Sequence, residues 1–326
     1  MARLSLGGPG SSPSRIGLGL AAVGRPAYIN LGRDRDLPPS RGREDLRGRA
    51  ELLLDRAYRL GIRYFDAARS YGLAEEFLSG WLRSRAILPG EVVCGSKWGY
   101  TYIGDWRMDA PVHELKDHSL AALRRQYRES RQRLGDHLHL YQIHSATLES
   151  GVLEDQAVMA ELLRLSRTGL AIGLTVSGPR QADVVRRAME VRVDGENPFA
   201  CVQATWNLLE PSAGSALAEA HQAGWQVLVK EAMANGRLLE HGDPRLRPLS
   251  EVASRLRLPW DRVALAAVLA QPFVDTALSG AVTVDQLESN VRAVEVSLSA
   301  EDLELLQRLA LPADRYWAER GQLAWS

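Results

Sequence analysis

The feature that most constrains this chain is a regular alternation of short apolar segments with longer amphipathic ones, beginning near residue 16. The short segments are β-branched or bounded by glycine, as strands are, and the longer ones end in Gly or Pro, as helices do. Parallel strands need helical crossovers, so repeated strand–helix units predict a (β/α)8 TIM barrel. The eight predicted strands are residues 16–24, 64–68, 92–98, 138–145, 171–177, 200–207, 225–232 and 275–280.

Helices are predicted between these strands, and the clearest cover residues 44–60, 117–134, 155–168 and 261–270. A doubly wound open sheet is the alternative, but no strand is followed by a GxGxxG turn that opens a helix. Residues 1–15 predict a short N-terminal hairpin before the barrel, and residues 299–312 predict an extra C-terminal helix. Because no linker divides the chain, we expect a single domain over residues 1–326.

The composition of the chain limits the kinds of partner and the cellular compartment that we expect. Forty basic and forty acidic residues give no net charge, which argues against nucleic acid and favours small-molecule partners. Cys94 and Cys201 lie in apolar segments without metal-ligand spacing, so neither a metal site nor a disulfide framework is predicted. No apolar run is long enough to cross a membrane, and no secretory signal is evident. We therefore expect a cytoplasmic protein, of undetermined oligomeric state.

The basic residues themselves are unusual, because only Lys97, Lys116 and Lys230 are lysines and the other 37 are arginines. Genome composition can produce such a bias. A lysine in an apolar stretch is nevertheless a candidate for a task that arginine cannot perform, since lysine shifts its pKa when buried and presents a compact point charge. Lys116 lies in an amphipathic segment and is interpreted as a surface charge.

Polar residues at the ends of the predicted strands are the candidates for chemistry, because barrel active sites lie there. Asp66 ends strand two and Tyr71 follows it, while Lys97 and His144 end strands three and four. Each residue alone has a structural interpretation, as a helix cap, a loop anchor or a core histidine. An ammonium in an apolar strand is costly without a partner, however, and the four together form a pattern less expected by chance.

These four residue types suit proton transfer to a carbonyl oxygen. A phenol is a poor acid at neutral pH unless its phenolate is stabilised, and we expect the ammonium of Lys97 to lower the pKa of Tyr71. A carboxylate at Asp66 would keep that ammonium charged and aimed, and an imidazole at His144 would orient the carbonyl. None of the four is a hydride donor, so a nicotinamide cofactor is implied.

The motifs RYFDAARSYG, VVCGSKWG, LYQIHSA, CVQATWN and LSGAVTVDQLESN resemble, in order, those of the aldo-keto reductases. The resemblance runs from about Ser14 to Arg308. It implies a (β/α)8 barrel that uses NADP(H) or NAD(H) without metal or flavin. It also implies that Tyr71 is the general acid/base, that Lys97 and Asp66 tune it, and that His144 orients the carbonyl.

The same resemblance predicts cofactor contacts at Ser177, Gln203, Gly280, Thr283, Gln286 and Asn290. Lys230 is added as a cofactor-binding candidate that could engage the pyrophosphate or the substrate, and the alternative for it is a salt bridge with Glu231 or a neighbouring Asp. Two of these regions depart from the family pattern, since Gly178 stands where Asn is usual and Lys230 where an aromatic is usual. The stretch that matches the 2′-phosphate contacts has no basic residue before Arg292. We therefore expect a reduced preference for NADPH, unless Arg180 or Arg237 supplies the missing charge.

Aromatic residues in the loop after strand three predict the substrate wall. Trp98, Tyr100 and Trp106, together with Tyr28 after strand one, would suit an aromatic or bulky carbonyl compound. The chain is thus predicted to be an oxidoreductase that interconverts a carbonyl and an alcohol. Two alternatives remain: a Schiff-base aldolase or lyase using Lys97 or Lys230, and a catalytically silent, cofactor-binding regulatory protein.

Overall fold

Eight short parallel strands close into a barrel, as the sequence predicts. Their order around the barrel is β1-β10-β9-β8-β7-β6-β3-β2, and an antiparallel pair, β4 and β5, lies outside it. The computed structural model describes residues 15–37 and 40–325. The strands are β1 Ile16–Gly19, β2 Tyr64–Asp66, β3 Val93–Trp98, β4 Tyr100–Tyr102, β5 Glu114–Lys116, β6 Leu138–Ala146, β7 Ala171–Val176, β8 Cys201–Thr205, β9 Gln226–Lys230 and β10 Thr276–Ser279.

Helices surround the barrel and cover the apolar outer faces of its strands. Among the described residues no helix is both long and apolar enough to span a membrane. The helices are α1 Arg33–Asp36, α2 Arg43–Arg59, α3 Ala74–Ser84, α4 Leu120–Leu134, α5 Gln156–Ser166, α6 Gln181–Glu190, α7 Gly214–Gln222, α8 Arg247–Leu256, α9 Trp260–Leu269, α10 Val284–Val291, α11 Ala300–Gln307 and α12 Ala313–Gly321.

Two of the elements that were not predicted lie near the ends of the barrel strands. The pair β4 and β5 forms a hairpin over residues 100–116, where a plain loop was expected, and α12 follows α11, the predicted extra C-terminal helix. The hairpin predicted for residues 1–15 lies outside the described residues, apart from Arg15. Both added elements contribute to the open end of the barrel, where the strands finish.

The barrel interior is filled by side chains rather than open. The ring of Tyr64 lies against two glycines of neighbouring strands, and a Cβ built on Gly95 would come within 2.3 Å of the Tyr64 hydroxyl. On Gly17 a Cβ would lie 2.8 Å from the same ring. Glycine at these positions therefore admits a tyrosine across the barrel, and its hydroxyl donates to Asp66 over 3.0 Å. That contact links the core to the candidate site.

Candidate active site

A cavity of about 910 Å³ opens at the carboxyl ends of the barrel strands. Most of the residues predicted from the sequence for chemistry or cofactor binding contribute to its wall. Those in the wall are Asp66, Tyr71, Tyr100, His144, Ser177, Gln203, Lys230, Gly280, Gln286 and Asn290. The fold therefore brings to one cavity residues that lie more than two hundred positions apart in the chain.

The innermost polar group is an ion pair between Lys97 and Asp66, at the ends of β3 and β2. Both side chains are almost fully buried, and the Lys97 ammonium donates to one Asp66 oxygen and, over 2.9 Å, to the Ala67 carbonyl. The other Asp66 oxygen accepts from Tyr64 and from the Gln203 amide, each at 3.0 Å. Because every partner is satisfied, a buried charge pair is tolerated here.

Tyr71 and His144 meet above this ion pair. The Tyr71 hydroxyl lies 3.5 Å from Nε2 of His144, and the Lys97 ammonium lies 4.8 Å from the centre of the phenol ring. Nδ1 of His144 is 3.3 Å from the Ser70 hydroxyl, which leaves Nε2 facing the phenol. A substrate oxygen placed at this point would therefore meet two groups able to donate a proton or a hydrogen bond.

The protonation of Tyr71 differs from the sequence-based expectation. Burial raises the pKa of the phenol well above its usual value, the Asp66 carboxylate raises it further, and the Arg25 guanidinium opposes the rise. The predicted lowering of this pKa is thus wrong for the free protein, because burial of the phenol outweighs the cations near its ring. Tyr71 is held as a neutral phenol, the form that can donate a proton.

His144 is held in the neutral form as well. Burial lowers the pKa of this imidazole well below its usual value, and the charges of Lys97 and Arg25 lower it further. The backbone carbonyl of His144 is 2.9 Å from Nε2 of His118, which fixes this end of β6. A neutral imidazole can donate one hydrogen bond to a carbonyl oxygen without carrying a charge.

Arg25 is a site residue that the sequence did not reveal. Its guanidinium lies 5.4 Å from the centre of the Tyr71 ring and donates to Glu114 over 2.7 Å and to the Ser70 carbonyl over 3.0 Å. It is almost fully buried and belongs to the cavity wall. Because arginine is so common in this chain, with 37 residues, the presence of Arg25 after the first strand does not mark it as a site residue.

Lys230 ends β9 and points to the neighbouring ends of β7 and β8. Its ammonium donates to the Thr205 hydroxyl over 2.7 Å and lies 3.3 Å from the Ser177 hydroxyl. Glu231 follows it with a φ of 56°, a left-handed conformation that is unfavourable for a residue with a side chain. A carboxylate oxygen of Glu231 is 3.9 Å from the Lys230 ammonium.

Helix α12 and the residues after it form the outer wall of the cavity. Arg320 of α12 donates to both carboxylate oxygens of Glu231, at 2.9 Å through Nε and 2.5 Å through Nη2. Trp317 of the same helix lies with its ring centre 5.9 Å from the Lys230 ammonium. Beyond the helix, Trp325 stacks on His113 of the β4–β5 hairpin at 4.4 Å. An ion pair and aromatic contacts thus hold this segment against the barrel.

The far end of the cavity, around α10, is rich in carboxylates. Gln286 donates to Asp36 over 2.8 Å, and Asn290 donates to Asp261 over 3.0 Å. Asp285 is also in the wall, as is Gly280, where a Cβ would meet only Asn30 at 3.7 Å. The proposed 2′-phosphate region therefore contains acidic groups that the sequence alone did not bring together.

Three predicted contacts lie outside the cavity wall. Trp98 is fully buried beside His118, because neighbouring residues of a strand point to opposite faces and Lys97 takes the inner one. Trp106 turns away and donates to the Arg41 carbonyl over 2.8 Å. Thr283 caps α10 by accepting from the Gln286 backbone over 3.2 Å. The predicted roles of these three side chains in binding need correction.

The two arginines considered as substitutes for the missing phosphate contacts also lie elsewhere. Arg180 is exposed and paired with Asp183 and Glu149. Arg237 stacks on Tyr316 and is 3.3 Å from Glu319. Neither contributes to the cavity wall. Within the described residues no group of three or more His, Cys, Asp or Glu is arranged to hold a metal ion.

Comparison with known proteins agrees with this geometry. A model of the Aldo/keto reductase family matches residues 16–310. The chain belongs to this family. Among curated proteins it is 27% identical over 281 residues to the uncharacterized oxidoreductase YrpG of Bacillus subtilis, covering 78% of this chain and 84% of that one. The comparisons favour neither a Schiff-base aldolase nor a silent regulatory protein.

Solved structures of aldo-keto reductases share the fold. The holo form of AKR11C1 from Bacillus halodurans superposes with a TM-score of 0.69 at 22% identity, covering 96% of this chain and 97% of that one. An aldo-keto reductase from Klebsiella pneumoniae in complex with NADPH gives 0.66 at 21% identity, with 95% of both chains covered. Family membership makes this aldo-keto reductase an oxidoreductase of the class that uses nicotinamide cofactors.

The donor set of the cavity fits such a cofactor. Hydroxyl, amide and ammonium groups from Ser177, Gln203 and Lys230 lie at the ends of three neighbouring strands, as recognition of a carboxamide requires. At the other end, the first turn of α10 contributes Asp285 and Gln286 to the cavity wall, and the N-terminal end of a helix favours a phosphate. The distance between these two regions is spanned by one continuous cavity.

Proposed function

We propose that this aldo-keto reductase interconverts a carbonyl compound and its alcohol, with Tyr71 as the residue that transfers the proton. The observation that supports this most is the meeting of Tyr71 and His144 at 3.5 Å, over the buried Lys97–Asp66 pair, in the wall of the cavity. When bound, a nicotinamide nucleotide supplies the hydride that is exchanged with the carbonyl carbon.

In the reducing direction the protein moves one proton. Nε2 of His144 donates a hydrogen bond to the carbonyl oxygen and holds it beside the Tyr71 hydroxyl. As negative charge develops on that oxygen, the phenol proton passes to it, the O–H bond of Tyr71 breaks and the alcohol O–H forms. The resulting phenolate is stabilised by the cations of Lys97 and Arg25, which lie 4.8 Å and 5.4 Å from the ring centre.

The cofactor is proposed to lie along the cavity from β7 to α10. Ser177, Gln203 and Lys230 would hold the carboxamide end, and the first turn of α10 with Gly280 would hold phosphate. Gln286 and Asn290 would lie at the adenosine ribose. This arrangement is supported by the positions of those residues in the cavity wall.

Titration with NADH and with NADPH tests the proposal before any substrate is known. Trp260, Trp317 and Trp325 all line the cavity, so a bound nucleotide should quench the tryptophan fluorescence. We expect saturable quenching with at least one of the two. If neither nucleotide changes the fluorescence or raises the melting temperature, the proposed function is wrong.

We further propose that the protein prefers NAD(H) to NADP(H). A 2′-phosphate carries nearly two negative charges and would lie near Asp36, Asp261 and Asp285, whereas a free 2′-hydroxyl can donate to a carboxylate. The acidic wall supports this preference, because it adds repulsion to the loss of the basic contacts that the sequence lacks before Arg292.

The preference can be measured as a ratio of dissociation constants. We expect wild-type protein to bind NADH about tenfold more tightly than NADPH, a difference of about 1.4 kcal/mol. Replacing Asp36→Asn removes a charge at almost constant size and should bring the ratio to within a few fold. Asp45→Asn, on the exposed face of α2 and outside the cavity wall, is the matched control. Tighter binding of NADPH by the wild type would contradict the proposal.

The proposed substrate is an aromatic or otherwise bulky carbonyl compound. Tyr28, Tyr100, Trp317 and Trp325 line the cavity on the side of Tyr71 and His144. Tyr100 packs edge-on against His144 with ring centres 5.0 Å apart, and Tyr28 packs edge-on against Trp325 at 6.3 Å. Flat apolar walls of this kind favour flat apolar ligands. Comparing kcat/KM for a short aliphatic and an aryl aldehyde tests this, and equal values would contradict it.

A further inference from the structure

Lys230 occupies a position from which it can act on the nicotinamide end of the cofactor. Its ammonium contacts two hydroxyls, those of Thr205 at 2.7 Å and Ser177 at 3.3 Å, and its side chain is in the cavity wall. Ser177 is one of the groups proposed to hold the carboxamide. The ammonium is therefore a direct neighbour of the place where that carboxamide would lie.

The number of hydrogen-bond donors in this region also supports a contact between Lys230 and the carboxamide. An ammonium has three N–H donors, and the two hydroxyls account for two of them. Gly178, which follows Ser177, has no side chain to offer, and the amide nitrogen of Gln203 uses one of its two N–H groups to donate to Asp66. The third N–H of Lys230 is thus a donor available for the oxygen of a carboxamide.

The charge of Lys230 is only partly offset by its surroundings. Glu231 is 3.9 Å away, but both of its carboxylate oxygens accept from Arg320, so the three side chains together carry one net positive charge. Lys97 and Asp66, which also act on Lys230 electrostatically, form a neutral pair. The neutral ring of His144 on β6 faces the same region.

We propose that Lys230 holds the nicotinamide carboxamide and that its positive charge makes the protein bind the reduced nucleotide more tightly than the oxidised one. The oxidised nicotinamide ring carries a positive charge that the reduced ring lacks. A fixed cation beside the carboxamide therefore repels one redox state and leaves the other unaffected. This inference rests on the proposed function and adds a residue that selects the redox state of the cofactor.

The preference for the reduced nucleotide should weaken as the pH rises. Burial lowers the pKa of Lys230 to about 8, with Arg320 and Lys97 lowering it and Glu231 and Asp66 opposing them. Below pH 8 the side chain is charged and discriminates between the two nucleotides. Above pH 8 it loses its proton, so the ratio of the NAD+ and NADH dissociation constants should fall. Burial lowers the pKa of His144 well below 6.5, so His144 does not titrate in this range.

The experiment measures the dissociation constants of NADH and NAD+ for the full-length protein, by calorimetry or tryptophan quenching, at pH 6.5 and pH 9.5. For the wild type we expect tighter NADH binding and a ratio that falls at high pH. In Lys230→Gln the preference for NADH should drop about tenfold at pH 6.5, and Lys230→Arg should retain it. Lys116→Gln, which removes an exposed lysine outside the cavity wall, should leave it unchanged.

Each outcome separates this inference from the function on which it rests. If the wild type binds both nucleotides and Lys230→Gln shows the same ratio within twofold, the inference is overturned and the proposed function stands. If the wild type binds neither nucleotide, both are overturned. Should Lys230→Gln fail to fold, the pH series on the wild type decides, since a ratio unchanged between pH 6.5 and 9.5 overturns the inference.

Discussion

Tyr71→Phe is expected to lower kcat for carbonyl reduction about 10³-fold while changing the NADH dissociation constant less than twofold. The variant loses only the hydroxyl that faces His144 at 3.5 Å. Its ring can keep the edge contact with His144 and the contacts with the Lys97 and Arg25 cations. Proton transfer is therefore removed with little change in packing, which steady-state kinetics and a binding titration can separate.

A second phenol in the same cavity provides the control for this measurement. Tyr100 also lines the cavity and also packs against His144, with ring centres 5.0 Å apart. Tyr100→Phe should retain turnover within about tenfold of the wild type, because this hydroxyl transfers no proton in the proposed mechanism. The mechanism would be contradicted if Tyr71→Phe kept more than a tenth of the wild-type kcat.

We expect substitutions at Lys97 to be harmful whether they remove its charge or keep it. Lys97→Met leaves the Asp66 carboxylate buried without its cation and should lower the free energy of unfolding by about 3–5 kcal/mol. Lys97→Arg keeps the charge, but a planar guanidinium is larger than the ammonium that fits between Asp66 and the Ala67 carbonyl. We expect kcat to fall about 100-fold in Lys97→Arg, because displaced groups no longer align with the substrate.

A double variant distinguishes loss of stability from loss of chemistry at Lys97. Lys97→Met with Asp66→Asn removes both charges of the buried pair, so denaturant unfolding should show most of the lost stability restored. Turnover should remain low, because the Lys97 cation is gone and only Arg25 is left to stabilise the phenolate. If the double variant is as unstable as Lys97→Met, the unpaired Asp66 charge is not the cause of the instability.

The sequence was sufficient for the barrel because its strands are short, buried and regularly spaced. All eight predicted strands are found, although the first ends at Gly19 rather than at residue 24, where the chain turns back toward the barrel. The β4–β5 hairpin was missed because its two strands are separated by 11 residues, and their pairing depends on contacts that periodicity does not encode. Local pattern therefore predicted the scaffold better than the loops placed on it.

Part of the candidate site could also be predicted from the sequence. Asp66, Tyr71 and His144 could be placed at strand ends from the sequence. Lys97 was identified because lysine is rare in this chain. Arg25 could not be identified in this way, since arginine is the common basic residue of the chain. The pKa of Tyr71 was predicted in the wrong direction, because burial of the phenol outweighs the neighbouring cations and only three-dimensional packing determines burial.

Part of the outer wall of the cavity lies beyond the residues that match the family. The family model ends at residue 310, whereas Trp317, Arg320 and Trp325 all follow it and all line the cavity. We expect mutations in these last residues to reshape the proposed substrate pocket while leaving the Tyr71–His144 pair and the barrel in place. Relatives that share Asp66, Tyr71, Lys97 and His144 can therefore diverge in the compounds they accept. Substrate assignments should be carried between members only when the C-terminal segments have been compared.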